Sequence, residues 1–413
     1  MNGIKPYLDA INLQSKKNHL DGWIFSNFSH HDTLTDNLLQ LTKTISTRRW
    51  VYILFAENKE PLKILHSIEP HVLDSVPGIS KTYYAMATMK EYLQEFKNKT
   101  FAVLSDPLNA EISTMDGGFV ELLHTCGIQT VTAAPLIQQS KGILTKAGIQ
   151  SHERAATLLY TIVERTWQLV CEAYTNKIPL YEKTLEQFIM KCFKEYNLIT
   201  DHPPIVAFGQ NTGNPHYEVP KTNSAKAKEG DLIQFDLWAK EELAADDDGN
   251  IGAENAIYAD ISWVGVFSTF ATENQKNDFS NLIQARDSVY QTLQEASNSN
   301  SIFSITGASL DTTVRKSLIN NNYEQRLRHR TGHSIDTACH GSGVNLDSIE
   351  FPDNRTLLEG SCFSVEPGIY TKTSGMRTEL DIYIHNGNPI ISGKKFSKQN
   401  SLSIPQKELL TTI

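Results

Sequence analysis

The sequence predicts an α+β protein in which a smaller α/β unit precedes a larger unit of helices and antiparallel strands. The 413 residues are 40% apolar and 21% charged, which is typical of a globular protein with more than one domain. Compact apolar runs alternate with helical patterns over residues 1–140, as in α/β units. Over residues 141–413 the predicted strands alternate polar and apolar residues, as strands of antiparallel sheets do.

Composition and charge disfavour several classes of protein. The 38 basic and 47 acidic residues give a net charge of −9, which argues against a nucleic-acid binder with a basic face. The longest apolar run, 50–56, is far short of the ~20 residues that cross a bilayer. The first residues lack a signal-peptide pattern, and the five cysteines form no Cys-x-x-Cys pair. We therefore expect a cytoplasmic protein with reduced thiols and no membrane partner.

The elements of the first unit follow from short apolar runs. Buried strands are predicted for three runs rich in β-branched or aromatic residues, 22–26, 50–56 and 100–106. Helical spacing predicts helices at 90–96 and 117–127.

The second unit is predicted to start with a long helix. A polar connector, 138–150, leads into an amphipathic segment with Ser151 as the expected N-cap. Capping boxes at 184–187 and 272–275 predict the starts of two further helices.

Four strand-like segments carry an acid on the face opposite their apolar residues. These acids are Asp236, Asp260, Glu366 and Glu379, placed by the two-residue strand period. The last segment, 377–384, is predicted as one strand on which Arg377, Glu379 and Asp381 share a face. The pattern leaves open which of the two acids is a ligand. Buried carboxylates need cations or metals as partners.

Histidines complete a candidate metal-binding set. His329, His333 and His340 lie within twelve residues, and His216 lies on a turn-rich segment. Four carboxylates and one histidine suit two divalent ions, most naturally manganese, with cobalt, iron or zinc as alternatives. A dinuclear centre with a bridging water is typical of hydrolases.

These residues resemble a known family. The order Asp236, Asp260, His333, Glu366 and Glu379 is similar to that of the pita-bread metallopeptidases (peptidase family M24), which include methionine aminopeptidase, aminopeptidase P and prolidase. The segments that carry the resemblance are HRTGH (329–333), VEPGIY (365–370) and GMRTE (375–379). The resemblance implies a pita-bread (creatinase/aminopeptidase) domain over 141–413, preceded by a creatinase-type domain over 1–140. This preceding domain favours aminopeptidase P or prolidase over methionine aminopeptidase, which lacks it.

The resemblance also implies roles for the site residues. Asp236 and Asp260 would bind the first metal, His333 the second, and Asp260 and Glu379 would bridge the two. Glu366 would bind metal and shuttle the proton from the attacking water to the leaving nitrogen. Outside the ligand set, His216 and His340 would contact the substrate carbonyl and stabilise the oxyanion, and His329 would line the pocket for the residue after the scissile bond. Arg377 would orient the ligands or grip a substrate carboxylate.

The function implied is that of a homodimeric, dinuclear metal-dependent exopeptidase. It would cleave the Xaa-Pro bond at the N-terminus of peptides or in dipeptides, so its substrate has proline in second position. One alternative is a hydrolase or lyase acting on a small non-peptide carboxylate. Another is a non-catalytic protein-interaction module.

Some residues depart from the family pattern. An acidic stretch, 240–256, roughly doubles the usual spacing of about a dozen residues between the two aspartates. We expect it to form an exposed loop at a hairpin tip, since longer loops add little closure cost. Asp260 is followed by Ile-Ser-Trp-Val where the family has a Thr-Arg pair. The stretch and either Trp238 or Trp263 are expected to narrow the cleft.

Overall fold

The computed structural model describes residues 2–41, 44–242, 255–393 and 404–412. The chain divides into two compact units, Met1–Lys141 and Gly142–Ile413. Each unit has its own sheets and its own buried apolar core. Within the described ranges, no helix is both long enough and apolar enough to cross a membrane.

The first unit is built on a six-stranded sheet. Its strands are β1 (Gly22–Asn27), β2 (Trp50–Phe55), β3 (Leu62–His66), β4 (Ile79–Tyr83), β5 (Thr100–Val103) and β6 (Gln129–Thr132). The spatial order is β4-β3-β2-β1-β5-β6, with β2 antiparallel to both of its neighbours and the other pairs parallel. Its helices are α1 (Lys5–Asn18), α2 (Thr33–Leu39), α3 (Met86–Gln94), α4 (Gly117–Thr125) and α5 (Ala134–Ser140). The three predicted strands and both predicted helices are confirmed within a few residues as β1, β2, β5, α3 and α4. The other strands and helices named here were not predicted.

The second unit combines long helices with three small sheets. Its helices are α6 (Lys146–Thr175), α7 (Glu182–Glu195), α8 (Glu273–Asn298) and α9 (Gly307–Asn320). Its strands are β7 (Leu198–Ile199), β8 (Ile205–Phe208), β9 (Leu232–Glu241), β10 (Ala259–Val266), β11 (Cys362–Val365), β12 (Gly368–Tyr370), β13 (Gly375–Arg377), β14 (Leu380–His385) and β15 (Asn388–Ile391). One sheet has the order β10-β9-β7 with β8 also paired to β9, the second is β11-β14-β15, and the third is the pair β12-β13.

Two predicted helix starts are wrong and one is confirmed. Helix α6 begins at Lys146, because the Thr145 side chain accepts a hydrogen bond from the backbone of Gly148; Ser151 lies inside the helix. Helix α7 begins at Glu182 without a side-chain cap, so the box at 184–187 falls inside its first turns. The box at 272–275 caps α8 as predicted.

Two further predictions concern the strands that carry the acids. Strands β9 and β10 pair antiparallel, which confirms the predicted hairpin strands; residues 243–254 of the acidic stretch lie outside the described residues. The single strand predicted over 377–384 is wrong. Strand β13 ends at Arg377 and pairs with β12, whereas β14 starts at Leu380 and pairs with β11, so Glu379 lies at the junction between two sheets.

Candidate metal centre

Two aspartates lie on one face of the β9–β10 hairpin. Ser262 is directly opposite Asp236, and Asp260 is directly opposite Trp238, and residues opposite each other in an antiparallel pair share a face. The alternate residues, Phe235, Leu237, Ile261 and Trp263, belong to the apolar core beneath the hairpin. The strand alternation thus directs both carboxylates away from this core.

These aspartates line a cavity of about 260 Å³. The cavity also receives six more of the residues singled out from the sequence: His216, His333, His340, Glu366, Arg377 and Glu379. The remaining lining residues are Asp201, His202, Ile205, Trp238 and Cys339. His329 is outside this lining. Five acids, four histidines and one arginine therefore line one cavity.

The potential ligand atoms form three overlapping groups, and within each group they lie within 4.8 Å of one another. The groups are Asp236–Asp260–Glu379, His333–Glu366–Glu379 and Asp260–His333–Cys339. Asp260 and Glu379 each occur with Asp236 in one group and with His333 in another. These two carboxylates therefore lie between the Asp236 side and the His333 side of the cavity.

His333 is held by a close backbone approach. A Cβ on Gly332 would lie 2.0 Å from the carbonyl oxygen of Ser364, so only glycine lets this segment pass β11 so closely. The backbone of His333 then exchanges hydrogen bonds with Ser364. Nδ1 of His333 lies 3.1 Å from the carbonyl of Ser334, and since a carbonyl only accepts, Nδ1 donates. In the neutral ring Nε2 is then an electron-pair donor, 3.6 Å from Oδ2 of Asp260 and 3.5 Å from Oε1 of Glu366.

Arg377 is the one permanently cationic side chain in the described lining of the cavity. Its guanidinium forms a very short ion pair with Asp236 and donates through Nε to Ser262 Oγ at 3.0 Å. It also contacts the carbonyl of Pro215 and the phenol of Tyr370. The side chain is buried and its donors point to protein acceptors, which favours orientation of the ligands over capture of a substrate carboxylate.

Ser262 connects this cation to two of the candidate ligands. Its hydroxyl lies 2.7 Å from Oδ1 of Asp236 and 2.9 Å from Oε2 of Glu379. Ser262 is fully buried. It therefore sets the spacing of two carboxylates that would otherwise repel each other.

Burial and mutual repulsion disfavour ionised carboxylates here. Burial raises the pKa of Asp260, and the charges of Asp236 and Glu366 raise it further. Burial likewise raises the pKa of Glu379, with Asp260 adding to the effect. The pKa of Glu366 is raised by burial, although His333 and Arg377 oppose the shift. If all of these buried acids were ionised, their negative charge would exceed the positive charge of the groups beside them.

The donor set fits divalent cations. Oδ1 of Asp260 and Oε1 of Glu379 are buried and have no hydrogen-bond partner among the described residues. Buried charged oxygens normally have cationic or hydrogen-bonding partners. Four carboxylates with one imidazole nitrogen are ligands for manganese, cobalt, iron or zinc. Asp236, Asp260, His333, Glu366 and Glu379 could hold such ions.

Asp381 is placed differently from Glu379. Its Oδ2 accepts a hydrogen bond from the backbone N–H of Asp260 at 2.8 Å, and it does not line the cavity. Asp381 therefore holds the Asp260 backbone from outside the cavity lining, whereas Glu379 lines the cavity.

The other histidines separate into two groups. His216 and His340 are exposed at the cavity, and the His340 ring lies edge-on to His333 with centroids 4.4 Å apart. His329 lies deeper and contacts the Tyr370 hydroxyl through Nε2 at 3.0 Å. Burial and the Arg377 guanidinium lower the pKa of His329 to about 3. Tyr370 thus links His329 to Arg377, and His329 lines a small neighbouring pocket with Pro367 and Gly368.

Several residues at the site were not identified from sequence. Cys339, Asp201 and His202 line the cavity, and the indole of Trp238 donates to Asp201 at 2.6 Å while stacking with His202. Trp238 therefore forms part of the cavity wall, which agrees with the expectation that either Trp238 or Trp263 lies at the cleft. Trp263 instead lies in the core, edge-on to Tyr160.

Comparison with known proteins gives one family match and several relatives. Residues 150–386 match metallopeptidase family M24. An Xaa-Pro dipeptidase of Lactobacillus delbrueckii subsp. lactis is 29% identical over 181 residues, which cover 44% of this chain and 41% of that protein; the match spans less than half of that relative's length.

Solved structures are similar over nearly the whole chain. The dipeptidase PepE from Mycobacterium ulcerans has a TM-score of 0.70 at 17% identity, covering 100% of this chain and 99% of that one. An X-Pro aminopeptidase from Thermotoga maritima has a TM-score of 0.58 at 18% identity, covering 98% and 99%. The expected pita-bread fold is thus confirmed. The family match covers more than half of the sequence, and the chain belongs to metallopeptidase family M24.

Proposed function

We propose that this chain is a dinuclear metal-dependent exopeptidase that hydrolyses the Xaa-Pro bond of dipeptides or at the N-terminus of longer peptides. The observation that carries the proposal is the convergence of Asp236, Asp260, His333, Glu366 and Glu379 on one cavity. The dipeptidase relative supports proline in the second position of the substrate.

The overlap of the ligand-atom groups supports a specific assignment. Asp236 would bind one ion and His333 with Glu366 the other. Asp260 and Glu379, which each occur with Asp236 in one group and with His333 in another, would bridge the two. Because oxygen ligands dominate, we propose manganese as the ion, with cobalt, iron or zinc as alternatives. When bound, the two ions would polarise the scissile carbonyl and acidify the attacking water.

Glu366 would move the proton. Its carboxyl lines the cavity together with the other candidate ligands, so it would take a proton from the attacking water and deliver it to the leaving nitrogen. His216 and His340, exposed at the same cavity, would donate hydrogen bonds to the substrate carbonyl and to the negative charge that develops on its oxygen.

The remaining polar residues would position these groups. Arg377 and Ser262 hold Asp236, and Ser262 also reaches Glu379. Tyr370 connects Arg377 to His329, so His329 would act on Arg377 and not on the substrate. The wall formed by Trp238, Asp201 and His202 would limit the size of the first substrate residue.

Peptide cleavage tests the proposal. The full chain would be treated with chelator and assayed with an Xaa-Pro dipeptide and an Xaa-Pro tripeptide, with and without added Mn²⁺. We expect cleavage only with metal, and the preference between the two peptides distinguishes a dipeptidase from an aminopeptidase. Bound metal without cleavage of either peptide would favour a non-peptide carboxylate as substrate. A protein that binds no metal and cleaves neither peptide would favour an interaction module.

A further inference from the structure

A cysteine lies among the candidate metal ligands. Cys339 is buried, lines the cavity, and places Sγ 3.2 Å from Oδ2 of Asp260. One potential ligand atom each from Cys339, Asp260 and His333 lie within 4.8 Å of one another. Asp260 also has a buried second oxygen, Oδ1, with no hydrogen-bond partner among the described residues. The thiol is therefore next to a carboxylate that itself needs a cation.

The spacing of these atoms suits one shared ion. Bonds to zinc are about 2.3 Å long for sulfur and about 2.0 Å long for oxygen or nitrogen. In a tetrahedral site, two such ligand atoms on the same ion are therefore roughly 3.3–3.5 Å apart. Oδ2 of Asp260 lies 3.2 Å from Sγ of Cys339 and 3.6 Å from Nε2 of His333. Both separations are close to that range, so small side-chain movements would bring all three atoms onto one ion.

Another buried cysteine of the same unit provides a contrast. Cys362 has its Sγ 3.7 Å from Nε2 of His152, and it belongs to none of the three ligand-atom groups in the described chain. A cysteine of this unit can therefore be buried without lying at the candidate metal centre, as Cys339 does.

We propose that Cys339 is an additional, soft ligand on the His333 side of the centre, which raises the affinity of that position for thiophilic divalent ions such as Zn²⁺, Co²⁺ or Cd²⁺ relative to its affinity for Mn²⁺. The proposal rests on the proposed metal binding. When the ion binds, the S–H bond breaks, the proton passes to solvent, and the sulfur electron pair forms the bond to the metal. No electron is transferred.

Cobalt spectroscopy tests this directly, without any measurement of activity. The chelated full chain is titrated with Co²⁺, and absorption is followed in the visible region and in the near ultraviolet, where thiolate-to-cobalt charge transfer absorbs. We expect a charge-transfer band in the unchanged protein and in the Cys171→Ser control, whose half-buried cysteine lies on α6. The band should fall at least about tenfold in Cys339→Val and in Cys339→Ser, while visible cobalt bands remain.

The outcomes separate this proposal from the one on which it rests. Visible cobalt bands without a charge-transfer band, or a band unchanged in both Cys339 variants, would overturn the thiol ligand and leave the metal centre intact. No bound cobalt in the unchanged protein would overturn both. Competition between Cd²⁺ and Mn²⁺ gives a second readout, because the preference for Cd²⁺ should fall about tenfold or more in Cys339→Ser. An unchanged preference would contradict the proposal.

Discussion

Ser262→Ala tests whether the buried hydroxyl organises the metal ligands. The hydroxyl lies within 3 Å of Asp236 and Glu379 and accepts from Nε of Arg377 at 3.0 Å. Its removal leaves the Arg377 Nε–H without this acceptor, and such a loss costs about 1–3 kcal/mol when the group is buried. Loss of a group that orients metal ligands lowers affinity ~10–100-fold, or about 1.4–2.7 kcal/mol.

The assay is calorimetric titration of the chelated protein with Mn²⁺, accompanied by urea unfolding in chelator. The variant should bind Mn²⁺ at least about tenfold more weakly and unfold at lower urea concentration. Ser288→Ala is the matched control, because that hydroxyl bonds only the carbonyl of Ala285 in its own helix among the contacts of the described chain. Mn²⁺ affinity of Ser262→Ala within about twofold of the unchanged protein would refute the reasoning.

Three other substitutions have distinct expected results. Glu366→Gln should keep much of its metal, measured by elemental analysis, while turnover of an Xaa-Pro peptide falls ~10²–10⁴-fold; undiminished turnover would remove the proton-shuttle role. Arg377→Met should lower the free energy of unfolding in chelator by about 3–5 kcal/mol, because it removes the cationic partner of buried Asp236; a loss below about 1 kcal/mol would show that the pair is not needed. His30→Gln should lower the melting temperature at about pH 5 and have little effect at about pH 9. The hydrogen bond to Asp36 raises the pKa of His30, so its stabilisation is full below the unfolded pKa and is lost as pH rises through the folded one. An equal effect at both pH values would contradict this.

The site could be predicted from sequence where a local period decides the geometry. The strand alternation places Asp236 and Asp260 on one face, and the hairpin brings those faces together. The same period shows that Trp238 shares the face of Asp236, whereas Trp263, three residues after Asp260, must point to the core. Either tryptophan was expected at the cleft, and Trp238 is the one that lies there.

The remaining features depend on contacts that are distant in sequence. The break between Arg377 and Leu380 arises because the two halves pair with different strands, which no local pattern reveals. The start of α6 is set by Thr145, whereas the sequence pattern predicted Ser151 as the N-cap. Cys339 is a small buried residue by any local criterion, and only the fold brings it to Asp260. Its position next to His340 was the one available signal.

The number of divalent ions bound per chain tests the central claim most directly. After chelation and reloading with Mn²⁺, elemental analysis should find two ions per chain in the unchanged protein and in Asp278→Asn, a control that removes a carboxylate paired with Arg326 away from the site. Asp260→Ala should lose both ions, because Asp260 lies between the two sides of the centre. The account would be contradicted if the unchanged protein bound no more Mn²⁺ than Asp260→Ala.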